Sequence, residues 1–594
     1  MQNRDGSYNA KNFEQSDAQK REDIPFAQMP YERPDGDALA AALEDLTRRL
    51  EQTQSPAEQL ELYREQEALI QRAETMMSLC HVRNTIDTRD PYYEKERAFC
   101  DELAPVLEEK QQAFLRAFAA SPCREQLEQK LGKLLFTDID LALRGFSPQI
   151  VPLVQEENAL AAQYQKLYAS ARIPFGGQVC NVAQLTPFKQ DPDRAVRRAA
   201  LEAEGAFFDD NRADFDKLFT QLVANRTQQA RQLGFSNFVQ LGYVRRGRNC
   251  YGPDEVAAFR NEVVNRLVPL TVEHKRDQAR RIGITDFSNF KFCDNAFAFP
   301  DGNPIPEGSP EDLLAAARRM YNELSPETAA FIEMMFNRQL FDLVSRDGKA
   351  PGGYCTEFAT YGCPFIFSNF NGTSGDVDVL THEAGHAFAS FISAREIDIA
   401  ALRQPTMEGC ETHSMSMEFL TEPWHELFFG RQTDKYELSH AQDALYFIPY
   451  GCMVDEFQHI AYERPEMTPE ERNAAWLELE QRYRPYIDFD GLPFYGRGAG
   501  WQRQLHIYLY PFYYIDYCLA QTMALQFWAQ ARRNRQHAWE NYLAFVKRGG
   551  TQTFLGLVHS AGLVSPFAPG GLQDTVAGVE QALTEYTKRI NTNK

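Results

Sequence analysis

The stretch THEAGHAFAS, residues 381–390, places two histidines four residues apart, with a glutamate directly after the first. On a helix, side chains at i and i+4 share one face, so His382 and His386 can direct both imidazoles to one zinc ion. Glu383 is then placed to accept a proton from water beside the metal. The longer metzincin pattern is excluded, because Ala389 and Ile392 stand where it requires glycine and histidine. The stretch therefore predicts a metal-binding helix with hydrolytic chemistry.

A catalytic zinc site of this kind needs a third protein ligand from elsewhere in the chain. The downstream stretch TMEGCETHSMSMEFL, residues 406–420, places Glu411 at 25 residues after His386. Its rivals are Glu408, one helical turn earlier, and His413, whose side chain points away if Glu411 points inward. We predict Glu411 as the third ligand.

Zinc-bound imidazoles usually donate their second N–H to a carboxylate. Glu418 follows Glu411 by two helical turns, while Asp376 and Asp378 come shortly before the histidines. Spacing does not choose among these three carboxylates, and a plain surface role is an equal alternative for each.

A second chemical signal lies in LHIYLYPFYYIDY, residues 505–517. If Pro511 opens a helix, Tyr517 shares a face with Tyr513 and Tyr514. Phenol hydroxyls and the His506 imidazole can donate hydrogen bonds to the oxygen of an attacked carbonyl. The alternative for each single tyrosine is a place in the core with its hydroxyl satisfied.

Composition narrows the class of protein. The 594-residue chain is 43% hydrophobic and 24% charged, and its net charge of -21 disfavours nucleic acids and anionic membranes as partners. The first 23 residues are polar, no apolar run is long enough to cross a bilayer, and the eleven cysteines form no C-x-x-C pair. We expect a soluble, cytoplasmic protein.

Helical spacing of apolar residues dominates the chain up to about residue 285. Residues 287–310 predict a loop or short strands, and residues 348–376 predict short strands leading into the metal helix. A turn-rich stretch at residues 173–191 suggests two regions, an N-terminal helical one at 1–185 and a catalytic one at 186–594. Helix starts are predicted at Ser55-Pro56, Ser121-Pro122, Asp191-Pro192, Gly252-Pro253 and Ser309.

Together, HEAGH, Glu411 in ETHSMSME and His506 with PFYYIDY resemble the thimet oligopeptidase and oligoendopeptidase F family of zinc metallopeptidases, most of all its Pz-peptidase branch. The segments PFIF at 364–367, DVDVL at 376–380 and SPF at 565–567 are also similar to that family, and the resemblance covers roughly residues 179–571.

The resemblance implies one Zn²⁺ per chain and cleavage of internal bonds in short peptides. It implies a mainly α fold, a large helical two-lobed body that encloses a deep channel, with a small β-sheet beside the zinc-binding helix. The strand at 365–369 and the loop at 496–500 would hold the peptide backbone. The implied roles are zinc ligands for His382, His386 and Glu411, general base for Glu383, and transition-state stabilisers for His506, Tyr513, Tyr514 and Tyr517.

Two other readings stay open. A helical zinc peptidyl-dipeptidase or carboxypeptidase would use the same zinc chemistry but trim from the C-terminus, which requires a clamp for the substrate carboxylate that no motif here identifies. A non-catalytic helical protein that only binds peptides belongs to a different class, and the complete set of ligands and base argues against it.

Overall fold

The chain folds mainly into α-helices, as predicted, with two small sheets among the residues 24–592 that this computed structural model describes. The polar segment 1–23 lies outside the described residues. Helices α1 to α12 are Gly36–Gln52, Pro56–Ile86, Pro91–Ala119, Arg124–Leu131, Lys133–Arg144, Val151–Ala169, Thr186–Lys189, Arg194–Asp210, Arg212–Gln232, Phe238–Arg245, Pro253–Glu262 and Val268–Arg281. Helices α13 to α25 are Pro310–Leu324, Pro326–Asn337, Gly375–Glu396, Met407–Leu420, Glu426–Phe429, Thr433–Glu463, Pro469–Tyr483, Pro493–Gly496, Leu505–Leu509, Tyr514–Arg533, Arg535–Arg548, Phe554–Ser560 and Gln573–Thr592. The strands β1 to β5 are Ile173–Phe175, Gln178–Cys180, Phe341–Val344, Tyr354–Phe358 and Cys363–Phe370.

Three of the predicted helix starts are confirmed, those of α2, α11 and α13. At α2, the Ser55 hydroxyl accepts from the Glu58 backbone N–H, and Pro56 takes the first helical position, where its missing N–H costs no hydrogen bond. At α13, Ser309 and Asp312 form a reciprocal capping box. Local sequence therefore decides these helix ends.

Two predicted starts are wrong by two residues. Helix α4 begins at Arg124 rather than Pro122; the Ser121 hydroxyl donates to Gln59 Oε1 at 2.6 Å and accepts from the Cys123 backbone N–H at 3.0 Å, in a turn before the helix. Helix α8 begins at Arg194, because Asp193 supplies the cap that we expected from Asp191.

The short strands predicted at 348–376 are confirmed as β4 and β5, and β3, which lies before that segment, completes a three-stranded sheet with the order β3-β5-β4. Strand β5 pairs parallel to β3 and antiparallel to β4, and the sheet packs against α15. Residues 287–310 form loops and short 3₁₀ turns without a strand. The turn-rich stretch at 173–180 is a hairpin, in which Gly176 and Gly177 both have positive φ, as its two-residue turn requires.

The buried apolar residues form one large cluster and smaller separate ones. The largest apolar cluster draws on residues from Met29 to Tyr586, whereas a smaller one joins helices α1 to α5. The smaller cluster also contains Ile397, Ile399 and Leu402, which follow the metal helix α15. The division at residue 185 stays a prediction. Along residues 24–592, no helix combines the length and apolar character needed to span a membrane.

Candidate active site

Two helices, α15 and α16, meet closely at Gly385, inside the HEAGH motif. A Cβ at this position would lie 2.6 Å from Ser414 Cα and 2.8 Å from the His413 carbonyl oxygen. Because both of those atoms belong to backbone, a side chain at 385 would force the helices apart. The glycine therefore allows α16 to bring Glu411 to the two histidines.

The predicted ligand set, His382, His386 and Glu411, converges in the structure. Glu411 Oε2 lies 3.4 Å from Nε2 of His382 and 3.4 Å from Nε2 of His386, and the ligand atoms of all three residues lie within 4.8 Å of one another. Two ligands bound at about 2.1 Å around a tetrahedral zinc ion are about 3.4 Å apart. The donor types and their separations fit zinc.

Several contacts keep the Glu411 carboxylate ionised. The Tyr513 hydroxyl donates to Oε1 at 2.6 Å, and the Ser414 hydroxyl donates to Oε2 at 3.2 Å. Burial alone would raise the pKa of Glu411, but hydrogen bonds and charge from His382 and His386 hold it well below the usual range. Glu411 is thus ready to act as an anionic ligand.

Glu383 follows the first histidine and is only 9% exposed. Burial raises the pKa of its carboxyl, and the neighbouring His382 and His386 oppose that shift. A carboxylate whose pKa moves towards neutrality is suited to accept and return a proton.

Of the three carboxylates considered for orienting a histidine, Glu418 makes the contact. Its Oε1 lies 2.7 Å from Nδ1 of His382, and its Oε2 lies 2.8 Å from Nε2 of His440. Burial would raise the pKa of Glu418, but these two histidines lower it to about 2. Asp376 instead accepts from the Asn371 and Gly372 backbone N–H groups, and Asp378 accepts from the Tyr436 hydroxyl at 2.6 Å.

The rival ligands lie elsewhere. Glu408 is buried and accepts from the Thr406 hydroxyl at 2.8 Å, and burial, then the charge of Asp516, raises its pKa to about 7. His413 faces Phe545, with the ring centres 5.4 Å apart, and burial lowers its pKa to about 3. Neither residue belongs to the group around His382 and His386.

The prediction that Pro511 opens a helix is wrong. Pro511 lies in a turn, Phe512 has a left-handed φ of 63°, and α22 begins at Tyr514. The Phe512 backbone N–H donates to the Gln458 side chain at 2.9 Å, which fixes this turn from outside the segment. The Phe512 ring packs so closely against Gly242 that a Cβ atom on residue 242 would clash with it.

The tyrosine cluster still gathers around His506, whose ring centre lies between 4.9 and 5.9 Å from those of Tyr513, Tyr514 and Tyr517. The hydroxyl of Tyr513 already donates its hydrogen bond to Glu411. Tyr514 is 9% exposed and packs against Tyr450. For Tyr517, burial raises the pKa first, and the charges of Glu411 and Glu383 add to the effect. The ring centre of Tyr517 also lies 4.8 Å from that of Tyr513, whose hydroxyl bonds the metal ligand Glu411.

Sequence reasoning missed the residues that orient His506. The Gln504 amide nitrogen lies 2.9 Å from Nδ1 of His506, and the Tyr450 hydroxyl donates to Gln504 Oε1 at 2.8 Å. An amide nitrogen only donates, so Nδ1 accepts and the ring proton is on Nε2. Burial lowers the pKa of His506 to about 4, with the charge of Glu411 opposing and that of Arg246 reinforcing the shift. The only sequence signal for Gln504 is its position two residues before the histidine.

The prediction that strand 365–369 holds a substrate backbone stays a prediction. This segment belongs to β5, the central strand, which has β3 on one edge and β4 on the other. A peptide adding to this sheet would meet an edge strand. The loop at 496–500 packs through Gly498 against the Asn473 carbonyl oxygen, and its contact with substrate stays a prediction.

Comparisons with known proteins agree with this geometry. The chain matches the peptidase M3 N-terminal domain over residues 26–146 and peptidase family M3 over residues 324–575. An oligoendopeptidase F homolog from Borreliella burgdorferi is 21% identical over 449 residues, which cover 69% of this chain and 71% of the relative.

Solved structures extend the likeness to nearly the whole chain. A structure of PZ peptidase A with an inhibitor is 46% identical, with a TM-score of 0.89, and the match covers 94% of this chain and 99% of the other. A putative oligoendopeptidase F from Bacillus anthracis is 42% identical, with a TM-score of 0.85 and coverage of 95% and 98%. The chain therefore belongs to peptidase family M3, as a metallo-oligopeptidase related to oligoendopeptidase F.

Proposed function

We propose that this protein is a zinc-dependent endopeptidase that hydrolyses internal bonds of short oligopeptides. The observation that carries the proposal is the convergence of His382, His386 and Glu411 at zinc-like separations, with Glu383 beside them. A zinc ion held there, one per chain, would lower the pKa of water towards neutrality and polarise the scissile carbonyl.

Glu383 moves the protons of the reaction. As water attacks the carbonyl carbon, Glu383 accepts one of its protons, and it then gives a proton to the leaving amine. Both steps use a single buried carboxylate, and no covalent bond forms between enzyme and peptide. The burial that raises the pKa of Glu383 favours the second step, in which it acts as an acid.

His506 and Tyr517 donate hydrogen bonds to the oxygen of the attacked carbonyl in this proposal. Their support is the proton on Nε2 of His506 and the position of Tyr517 beside Tyr513, where the charges of Glu411 and Glu383 act on its hydroxyl. Tyr513 has a different role, because its hydroxyl already donates to Glu411. Tyr514 packs behind both donors.

The selection of short peptides by a deep channel between two lobes is part of the same proposal, as is the division into regions 1–185 and 186–594. The likeness to related structures, which covers nearly the full chain, supports the fold. The channel rests on the family resemblance, and the division rests on the turn-rich stretch at 173–191. The cytoplasmic location and the lack of nucleic-acid partners stay predictions.

The decisive experiment couples metal analysis to product mapping. Purified protein is assayed for bound metal and then given peptides of increasing length, each in one form with free ends and one form with both ends blocked. We expect about one zinc per chain, internal cuts, and loss of cleavage as peptides become long or folded. Products cut only from free C-termini would replace the endopeptidase with the trimming enzyme, and binding without any cut would leave a peptide-binding protein.

A further inference from the structure

A cationic side chain, Arg246, lies beside the candidate active site and was not part of any motif. It follows the last residue of α10 and is half-buried, and its guanidinium carbon lies 5.2 Å from the centre of the Tyr513 ring. Among residues 24–592, the guanidinium has this ring contact but no hydrogen bond or ion pair.

The neighbouring arginines are different. Arg245 donates to the Gln229 side chain at 2.6 Å, and Arg248 donates to Asp516 at 2.7 Å. Both guanidiniums are therefore tied to groups of the protein itself. Burial removes water from the Arg246 guanidinium and lowers its pKa, and the charge of Asp516, which is itself bonded to Arg248, opposes this shift only in part. Arg246 thus has donors free for a group from outside the chain.

The location links Arg246 to the reaction. Tyr513, whose ring it contacts, donates to the ligand Glu411, and the Tyr513 ring centre lies 5.9 Å from that of His506. One tyrosine side chain thus separates the guanidinium from a metal ligand. An extended peptide advances about 3.3–3.6 Å per residue, so a group bound at Arg246 would be about one to three residues from the scissile bond.

We propose that Arg246 binds a carboxylate of the peptide substrate, close to the bond that is cut. The planar guanidinium presents paired donors that match a carboxylate, and this geometry gives position as well as attraction. The carboxylate is either the C-terminus of the peptide or an Asp or Glu side chain, since both offer the same chemistry. The inference rests on the proposed peptidase function and adds a determinant of specificity to it.

The test compares peptides of one sequence that the wild-type protein cleaves. One peptide ends in a free carboxylate within three residues of the bond, one ends in an amide there, and one is amidated but carries Glu in place of Gln at that position. The quantity measured is the ratio of kcat/KM for each carboxylate peptide to that for the neutral amide. Arg246→Gln and Arg246→Lys are compared with Arg533→Gln, which removes a charge from an exposed position in the last turn of α22.

We expect the wild-type protein to prefer a carboxylate peptide by about 10- to 100-fold, mainly through KM, which is the range for hydrogen bonds to a charged group. Arg246→Gln should abolish this preference, Arg246→Lys should retain part of it, and Arg533→Gln should keep it whole. Preference for the free C-terminus alone identifies the terminal carboxylate, and preference for both peptides identifies carboxylates in general.

A wild-type protein with no preference overturns the inference, as does an Arg246→Gln variant that keeps the full preference. If the Arg246→Gln variant does not fold, the Arg246→Lys variant tests the inference in its place. Lysine lacks the paired donors of the guanidinium, so the ratio of kcat/KM for the carboxylate peptide to that for the amide must fall. Failure of the wild-type protein to cleave any of the three peptides would count against the peptidase mechanism itself, separately from Arg246.

Discussion

At the scale of single residues, the buried carboxylates of the candidate site have different surroundings, and these suit them to different roles. Glu411 and Glu418 are held ionised by histidines, whereas Glu383 has its pKa raised by burial. A ligand must remain anionic, and a base must both take and release a proton, so the two environments suit two roles.

Replacing Glu383 with Gln should separate metal binding from hydrolysis. The three ligands remain, so we expect zinc content to be unchanged, while kcat falls by about 10²- to 10⁴-fold because the base is lost. Zinc analysis and kcat on one peptide make the comparison, with Glu478→Gln on the exposed face of α19 as the control. Full activity in Glu383→Gln would contradict the mechanism.

Gln504→Glu should change how His506 depends on pH. The pKa of His506 is lowered to about 4, so its ring is neutral at neutral pH. A carboxylate facing Nδ1 accepts a proton from it, so the neutral ring loses its Nε2 proton. Only the protonated ring, whose pKa the carboxylate raises, can then donate to the carbonyl oxygen, and the activity of the variant should therefore fall as pH rises through that pKa. Gln536→Glu, at an exposed position of α23, adds the same charge as the control. A variant whose pH–rate profile matches that of the wild-type protein would remove Gln504 from the orientation of His506.

At the scale of elements, the sequence predicts what is decided locally. Ser55 and Ser309 cap their helices from within the segment, and the strands beside the metal helix follow their own residue pattern. The turn at Pro511 was not predictable in this way, because Gln458 from another helix fixes Phe512 in a left-handed conformation. The roles of Arg246 and Gln504 could not be predicted from the sequence for the same reason, because the side chains that they contact come from distant segments.

Gly385→Ala should loosen the joint between α15 and α16. The new methyl group would meet the backbone of Ser414 and His413, at an expected cost of about 1–3 kcal/mol for overpacking. We expect a lower Tm and weaker zinc binding, because Glu411 moves away from the histidines. Gly496→Ala, which has open space around its Cβ, is the matched control. An unchanged Tm together with unchanged zinc affinity would contradict the role given to Gly385.

At the scale of the whole molecule, metal binding should contribute to stability, because the ligands come from two helices that meet only in the folded chain. Removing zinc with a chelator should lower Tm, and adding zinc should restore both Tm and activity. Glu383→Gln should show the same change in Tm, since it keeps every ligand. A chelator that abolishes activity without moving Tm would show that the metal adds nothing to folding.

The family and the ligand set were predictable because each depends on residues close together in the sequence, such as HEAGH and the turns of α16. The pairing of β5 on both edges was not, because strand order depends on contacts between segments. The substrate-binding role assigned to 365–369 stays a prediction.

The small core of helices α1 to α5 includes Ile397, Ile399 and Leu402, which follow directly on the metal helix. The Ala401 backbone N–H also donates to the Glu67 carboxylate at 3.0 Å. The N-terminal helices α1 to α5 therefore hold the C-terminal end of the metal helix α15 in place. A fragment that begins after residue 185 would expose Ile397, Ile399 and Leu402 to water, so we expect the catalytic region to fold well only together with helices α1 to α5.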